Sequence, residues 1–174
     1  GAFDLHEPAP QLRDPHVLVV LRPWTDVGAV GTLALTTLEN HFGSKELGRL
    51  RSPGDFYDFT RYRPTLHRLE GHRHVEVPNS VIRYAHLTGT HDLMFLHALE
   101  PHHHGEEFVD SVVKIAQHMG VQRYCQVGAM YGLGPHTRPL AVTGSASDPS
   151  LQERLDRSGI ISSTYEGPTS ILAL

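Results

Sequence analysis

Three observations predict an α/β domain built on a mainly parallel sheet. Residues 17–21 (Val-Leu-Val-Val-Leu) and 93–99 (Leu-Met-Phe-Leu-His-Ala-Leu) are strand-length apolar runs, the pattern of strands buried on both faces. A helical apolar spacing follows each run, as expected for crossover connections. The order strand, helix, hairpin insert, strand, helix, strand is that of an α/β chain rather than of separate all-α or all-β parts.

From Val27 the apolar positions Val30, Leu33, Ala34, Leu38 and Phe42 mark the first helix. Thr25 or Asp26 can cap its start and Gly43 can close it. Residues 46–51 are a possible short strand, and residues 66–77 read as a hairpin turning near Gly71. Pro78 and Asn79 punctuate before a strand over residues 80–87. The run at 93–99 is a buried central strand interrupted by one histidine, His97. Phe108, Val112, Ile115, Ala116 and Met119 share a helical face, widened by Val109 and Val113, and Gly120 ends the helix. Residues 121–129 supply a third strand of the sheet. Asp148-Pro149 opens a short helix carrying Leu151 and Leu155, with Asp as cap and Pro at the first helical position. Residues 1–14 are expected to be an N-terminal extension, with Gly1-Ala2-Phe3 given no structural weight, and residues 15–174 a single domain. The apolar end Ile171-Leu172-Ala173-Leu174 is expected to mark a C-terminal truncation, because an α/β domain rarely closes on an exposed apolar stub.

Composition narrows the function classes. With 39% hydrophobic and 20% charged residues, the 174-residue chain has the make-up of an ordinary globular domain. A formal charge of −4 and scattered Lys and Arg argue against a dedicated nucleic-acid binder. The lone Cys125 excludes an internal disulfide, is expected to be a buried, inert thiol, and fits a reducing cytoplasm. No apolar stretch is long enough for a membrane span. Walker-type phosphate loops, dinucleotide fingerprints and nucleophile elbows are missing, so no cofactor is expected and the weight falls against an enzyme.

In α/β sheets ligands collect beyond the carboxyl ends of the strands. The loops expected there are Pro23-Trp24-Thr25-Asp26, Glu100 to His104, and Tyr131 to Arg138. Four histidines fall within the eight positions from His97 to His104. His102 and His104 on alternate positions of an extended segment could face one metal, with Glu100 or His136 as third ligand. Adjacent histidines do not match the spacings that hold zinc, so a solvated strand-to-helix loop is the expectation and no metal is assigned. His72 and His74 likewise are expected on an exposed hairpin face. His136, Thr137 and Arg138 lie between stiffening prolines, and Thr143 and Ser145 flank Gly144 near a helix start. These groups suit a phosphate or carboxylate; the preferred alternative is an ion pair of Arg138 with a carboxylate such as Asp26. Asp26 and His136 make an acid–base pair only if the fold joins them.

A set of motifs in fixed order carries a family resemblance: PWTDVG (23–28), FYDFTRYRP (56–64), LEP (99–101), PHTRP (135–139), VTGSASDP (142–149) and YEGPT (165–169). From about residue 15 to 174 the chain resembles the proteasome assembly chaperone two-type family, particularly its prokaryotic, actinobacterial members. The resemblance implies a three-layer α/β/α sandwich like that of the purine nucleoside phosphorylases, here with a β-hairpin insert. It implies homo-oligomers, trimers among them, and proteasome α-subunits as possible partners. It also implies further chain after the YEGPT motif. Archaeal members that bind the proteasome end in a hydrophobic-Tyr-any tail, which Leu172-Ala173-Leu174 does not reproduce.

Two functions follow as expectations. The first is a non-enzymatic assembly or interaction protein whose contacts centre on Phe56, Tyr57, Phe59, Arg61, Tyr62 and Arg63, an aromatic-plus-arginine composition typical of interface centres. The same alternation could bury Phe56 or Tyr57 in the core. The second is a binder or enzyme for an anionic or nucleoside-like ligand, its pocket formed by Trp24, Asp26, Glu100, His136, Thr137, Arg138, Thr143 and Ser145.

Overall fold

In the computed structural model, which describes residues 1–173, the chain forms two compact units. One holds residues 1–130 together with the segment from Ser170, and the other holds residues 131–169. Leu174, last of the four apolar residues at the end of the sequence, lies outside the described residues.

The first unit contains strands β1 (Phe3–Leu5), β2 (His16–Arg22), β3 (Lys45–Leu50), β4 (Thr65–Leu69), β5 (His72–Glu76), β6 (Val81–Ala85), β7 (Leu93–Leu99) and β8 (Arg123–Gln126). Its α-helices are α1 (Val30–Phe42) and α2 (Gly105–His118). Six strands make one sheet in the order β1-β3-β6-β7-β2-β8. β2 pairs in parallel with β7, from His16↔Leu93 to Arg22↔Leu99, and with β8 on its other side. β6 runs antiparallel to β7, β3 antiparallel to β6, and β1 antiparallel to β3. Four of the six strands, β2, β3, β7 and β8, therefore share one direction.

Alternation along β2 explains the layers. Val17, Val19 and Leu21 pack in one core with Phe108 and Val112 of α2 and with Met119 just after it. Val20, with Leu18 beside it, packs in the other with Leu35 and Leu38 of α1. A sheet buried on both faces needs helices on both, and the result is an α/β/α sandwich. Gly31 lets α1 approach closely: a Cβ there would lie 2.8 Å from Val20 Cγ2. Gly43, at φ 62°, ends the helix in the left-handed conformation.

Two buried carboxylates of this unit, Glu39 and Asp92, are paired. His97, which interrupts the apolar run of β7, points its Nε2 at the Glu39 carboxylate of α1, 2.7 Å away. Arg83 of β6 reaches the same carboxylate at 3.8 Å and donates to Ser44. Asp92, fully buried just before β7, accepts from the backbone N–H groups of Arg13 and Leu87, both at 2.9 Å, and from the Arg13 guanidinium. His86 Nδ1 stands 3.1 Å from its other side. Burial alone would raise the Asp92 carboxyl, but these donors hold it well below the usual carboxylate range.

Several sequence expectations change. Phe3–Leu5, inside the stretch read as an extension, is the edge strand β1; Phe3 is buried and its ring lies 6.0 Å from Phe108. The strand expected over 121–129 is only Arg123–Gln126, and all four residues are exposed because β8 is the outermost strand. Cys125 is therefore exposed rather than buried. The hairpin forms where expected, with Thr65↔Glu76 to Leu69↔His72 in register and every residue of both strands exposed.

The second unit contains β9 (Thr143–Gly144) and β10 (Ile161–Ser162), paired in parallel, and the helix α3 (Pro149–Arg157). Asp148 caps α3 as its sequence context predicts, accepting from Ser150 N and Leu151 N at 2.8 and 3.2 Å. Gln152 ties the unit together, accepting from Ala146 N and donating to Asp156 and Ser162.

Candidate functional site at the carboxyl ends of the central strands

The carboxyl ends of β2 and β7 lie side by side, where Glu100 N donates to Arg22 O at 2.8 Å. Beyond β2 the chain presents Trp24, 45% exposed, and then Asp26. Asp26 is buried, and its carboxylate is consumed by the start of α1: one oxygen accepts from Gly31 N at 2.7 Å and Thr32 N at 3.2 Å, the other from Thr32 Oγ1 at 2.6 Å. It reaches α1 across a 3₁₀ turn at Val27–Ala29, so the capping reading holds although the helix begins later than Val27. These three donors take most of the acceptor capacity of the carboxylate, and none of them is a guanidinium. Val27 N and Ala129 N complete a backbone bridge between this loop and the chain after β8, donating to Ala129 O and Thr25 O.

The histidine loop has a structural task. His102 N and His103 N both donate to Phe56 O, at 2.8 and 3.1 Å, and Asp58 N donates to His102 Nδ1 at 3.2 Å. The His102 ring lies 4.5 Å from that of Tyr62, and His104, in the left-handed conformation at φ 52°, leads into α2. The loop thus clamps the segment carrying Phe56 to the top of β7. No group of three His, Cys, Asp or Glu side chains among the described residues is arranged to hold a metal ion.

The clamp decides the fate of the aromatic segment. Phe56 and Tyr57 are both core residues, 3% and 2% exposed. Phe56 packs edge-on against Phe108 at 5.9 Å, and the Tyr57 and Ser80 hydroxyls lie 2.6 Å apart while Ser80 Oγ accepts from Leu99 N. Burial pushes the Tyr57 hydroxyl up. Both rings are therefore unavailable as surface contacts. Phe59 and Tyr62 pack partly against the core, and Arg61 and Arg63 remain exposed. Tyr62 donates to Glu100 O at 3.1 Å, while the Glu100 carboxylate has no hydrogen bond or ion pair among the described residues.

The other pocket residues belong to the second unit. His136, Thr137, Arg138, Thr143 and Ser145 are all exposed; Arg138 N donates to Pro135 O in a turn, and Thr143 lies in β9. Trp24, Asp26 and Glu100 thus share the strand ends of the first unit, and the remaining five share a surface loop and strand of the second. Arg22 was not among the expected residues: a strand-end arginine looks ordinary in a sequence, and only the shielded, unpartnered Nε of its half-buried side chain distinguishes it.

The family model described as the PAC2 family matches residues 20–174. The chain belongs to the PAC2 family. Among solved structures, a PAC2 family protein from Streptomyces avermitilis is 30% identical, with 92% of this chain and 67% of that one covered and a TM-score of 0.81. A proteasome-assembly chaperone homologue from Mycobacterium tuberculosis is 23% identical, covering 90% of this chain and 66% of that one at a TM-score of 0.76. An archaeal proteasome activator from Pyrococcus furiosus shares the fold at 16% identity, with 98% and 72% covered and a TM-score of 0.69. The chain thus spans about two thirds of the length of its actinobacterial PAC2 relatives. No curated protein matches the sequence. No helix among the described residues is long and apolar enough to cross a membrane.

Proposed function

We propose that this PAC2-family chain is a chaperone-like assembly factor that works through protein–protein contacts rather than by catalysing a reaction. In this reading it acts in the cytoplasm as a homo-oligomer, a trimer being the closed form expected, with proteasome α-subunits as its partner class.

The observation that carries the reading is the hairpin of β4 and β5. Residues directly across a strand pair share a face, so Leu66 and Val75 lie together beside Arg68 and Arg73, and His67 and His74 lie on the opposite face. His67 Nε2 is 3.1 Å from Glu76 Oε2 on that second face. Isolated two-stranded ribbons are marginal in water. Leu69 is 61% and Val75 55% exposed, so the hairpin buries little within its own chain. A protein surface that covers it would remove that apolar area from water and hold the ribbon in shape. The exposed Arg61 and Arg63 precede the hairpin and would extend such a contact.

The test is solution mass by light scattering for the parent protein and the double substitution Leu66→Ser with Val75→Ser. The parent is expected to form an oligomer that the double substitution reduces to protomers. A parent that stays monomeric at high concentration refutes self-association, and an oligomer that survives the double substitution refutes the hairpin as the contact. Native gels of proteasome α-subunits from the same cell, with and without the protein, test the partner class: faster ring formation is expected, and no co-migration overturns it.

A further inference from the structure

Only two arginines of the first unit are part-buried rather than exposed, Arg22 and Arg83. Arg83 is satisfied: its Nε donates to Ser44 Oγ at 2.9 Å, a terminal nitrogen donates to Ser44 O at 2.8 Å, and Glu39 lies at 3.8 Å. Arg22 has no hydrogen bond or ion pair from its guanidinium to any described residue, and its Nε is shielded from solvent without a partner. A guanidinium is charged at every accessible pH and cannot escape this situation by losing a proton.

The location adds a second, independent argument. Arg22 is the last residue of β2, the strand between β7 and β8, and so stands at the carboxyl end of the parallel part of the sheet. Crevices at this end are where α/β sheets admit ligands. Shielding of Nε means that the side-chain stem is packed; the terminal nitrogens, free of protein partners, are left for whatever approaches from outside. Tyr62 borders the position. Burial raises its hydroxyl, the Glu100 charge raises it further and the Arg22 charge lowers it, so both charges act on one hydroxyl without pairing with each other.

We propose that Arg22 is an anion-binding residue, its terminal N–H groups holding the carboxylate or phosphate oxygens of a small ligand at the carboxyl end of β2. Arginine presents paired N–H groups at the spacing of two such oxygens, a match that lysine lacks. Tyr62 and Glu100 flank the position, so a ligand with a hydrogen-bonding or cationic group near its anionic end is favoured over a bare anion. This inference goes beyond the partner-binding reading and does not rest on it.

The experiment titrates inorganic phosphate and, separately, acetate into the protein at constant ionic strength, so that screening does not change. The readout is the side-chain ¹H–¹⁵N resonances of arginine, Arg22 being assigned through Arg22→Lys, with the Arg83 resonance as an internal reference. A saturable, millimolar shift of the Arg22 signal is expected while Arg83 stays still. Backbone amide signals of Leu21 and Glu100 are expected to follow the same curve, to weaken at least tenfold in Arg22→Gln, and to weaken only a few-fold in Arg22→Lys, which keeps the charge but loses the fork. Tighter saturation by phosphate assigns a phosphoryl ligand, and tighter saturation by acetate a carboxylate. Shifts that grow linearly without saturating, or Arg22→Gln and Arg22→Lys curves within twofold of the parent's, overturn the proposal.

Discussion

Asp92 stands just before the amino end of β7 and Arg22 at the carboxyl end of β2, and the two treat charge in opposite ways. The Asp92 carboxylate is met by two backbone N–H groups, a guanidinium and an imidazole. The Arg22 guanidinium and the Glu100 carboxylate have no hydrogen bond or ion pair among the described residues. The difference separates a charge that specifies the fold from charges the fold merely tolerates. Asp92 ties the segment carrying Arg13 to the turn at Leu87, two stretches 74 positions apart, and so closes the amino end of the sheet. At the carboxyl end closure is left to backbone bonds and to the histidine clamp, and the side chains of Arg22, Trp24 and Glu100 do no comparable work for stability.

The largest effect that sharpens this contrast belongs to Asp92. Asp92→Ala leaves two part-buried N–H groups without acceptors and is expected to cost about 3 kcal/mol in urea unfolding, at the lower end of the range for breaking a buried pair because the Arg13 side chain is largely exposed. A loss under 1 kcal/mol, roughly the worth of one ordinary hydrogen bond, would mean that the Asp92 charge is tolerated by the fold as that of Glu100 is. The same group sets an acid limb. Its pKa is depressed in the folded state, so its contribution is complete above the unfolded carboxyl value of about 4 and is lost as pH falls below it. In Asp92→Asn the unfolding free energy should therefore fall less steeply over that acid range than in the parent.

How much of this was legible in the sequence depends on the distance between partners. The run at 17–21 is apolar at every position and that at 93–99 at every position but His97, so both read as buried strands, and Gly71 marked the hairpin. The start of helix α3 was legible to the residue, since Asp148-Pro149 is a local signal. Strand β1 was not, because three residues carry no periodicity and their pairing with β3 is long-range. Phe56 and Tyr57 resisted the alternation rule because a 3₁₀ turn at Pro53–Asp55, not a strand, leads into them, which lets both rings enter the core. Asp92 looks like a loop acid until Arg13, 79 positions away, is brought beside it. Asp26 was seen as both helix cap and possible pocket acid, and only the three donors around it separate the two.

Asp26 gives the next smaller effect, because it lies at the carboxyl end yet is bonded as an amino-end charge would be. Asp26→Ala is expected to cost about 1–2 kcal/mol, the range of a lost helix cap, with hydrogen-exchange protection falling first in the opening turn of α1. An unchanged stability would mean that its carboxylate is as idle as that of Glu100, and the contrast would then follow position in the sheet rather than bonding.

Glu100 supplies the smallest effect and the strictest test of the same point. It directly follows β7, and its carboxylate accepts no hydrogen bond among the described residues, whereas its backbone is held at both groups: its N–H donates to Arg22 O and its carbonyl accepts from Tyr62. Glu100→Gln keeps the backbone bonds and the side-chain shape while removing only the charge. If the charge does nothing for folding, unfolding midpoints should match the parent's within about 0.5 kcal/mol, the scatter of substitutions away from any specific contact. A loss well beyond that would reveal an attraction to the Arg22 guanidinium through solvent, and the carboxyl end would then be held together by charge after all.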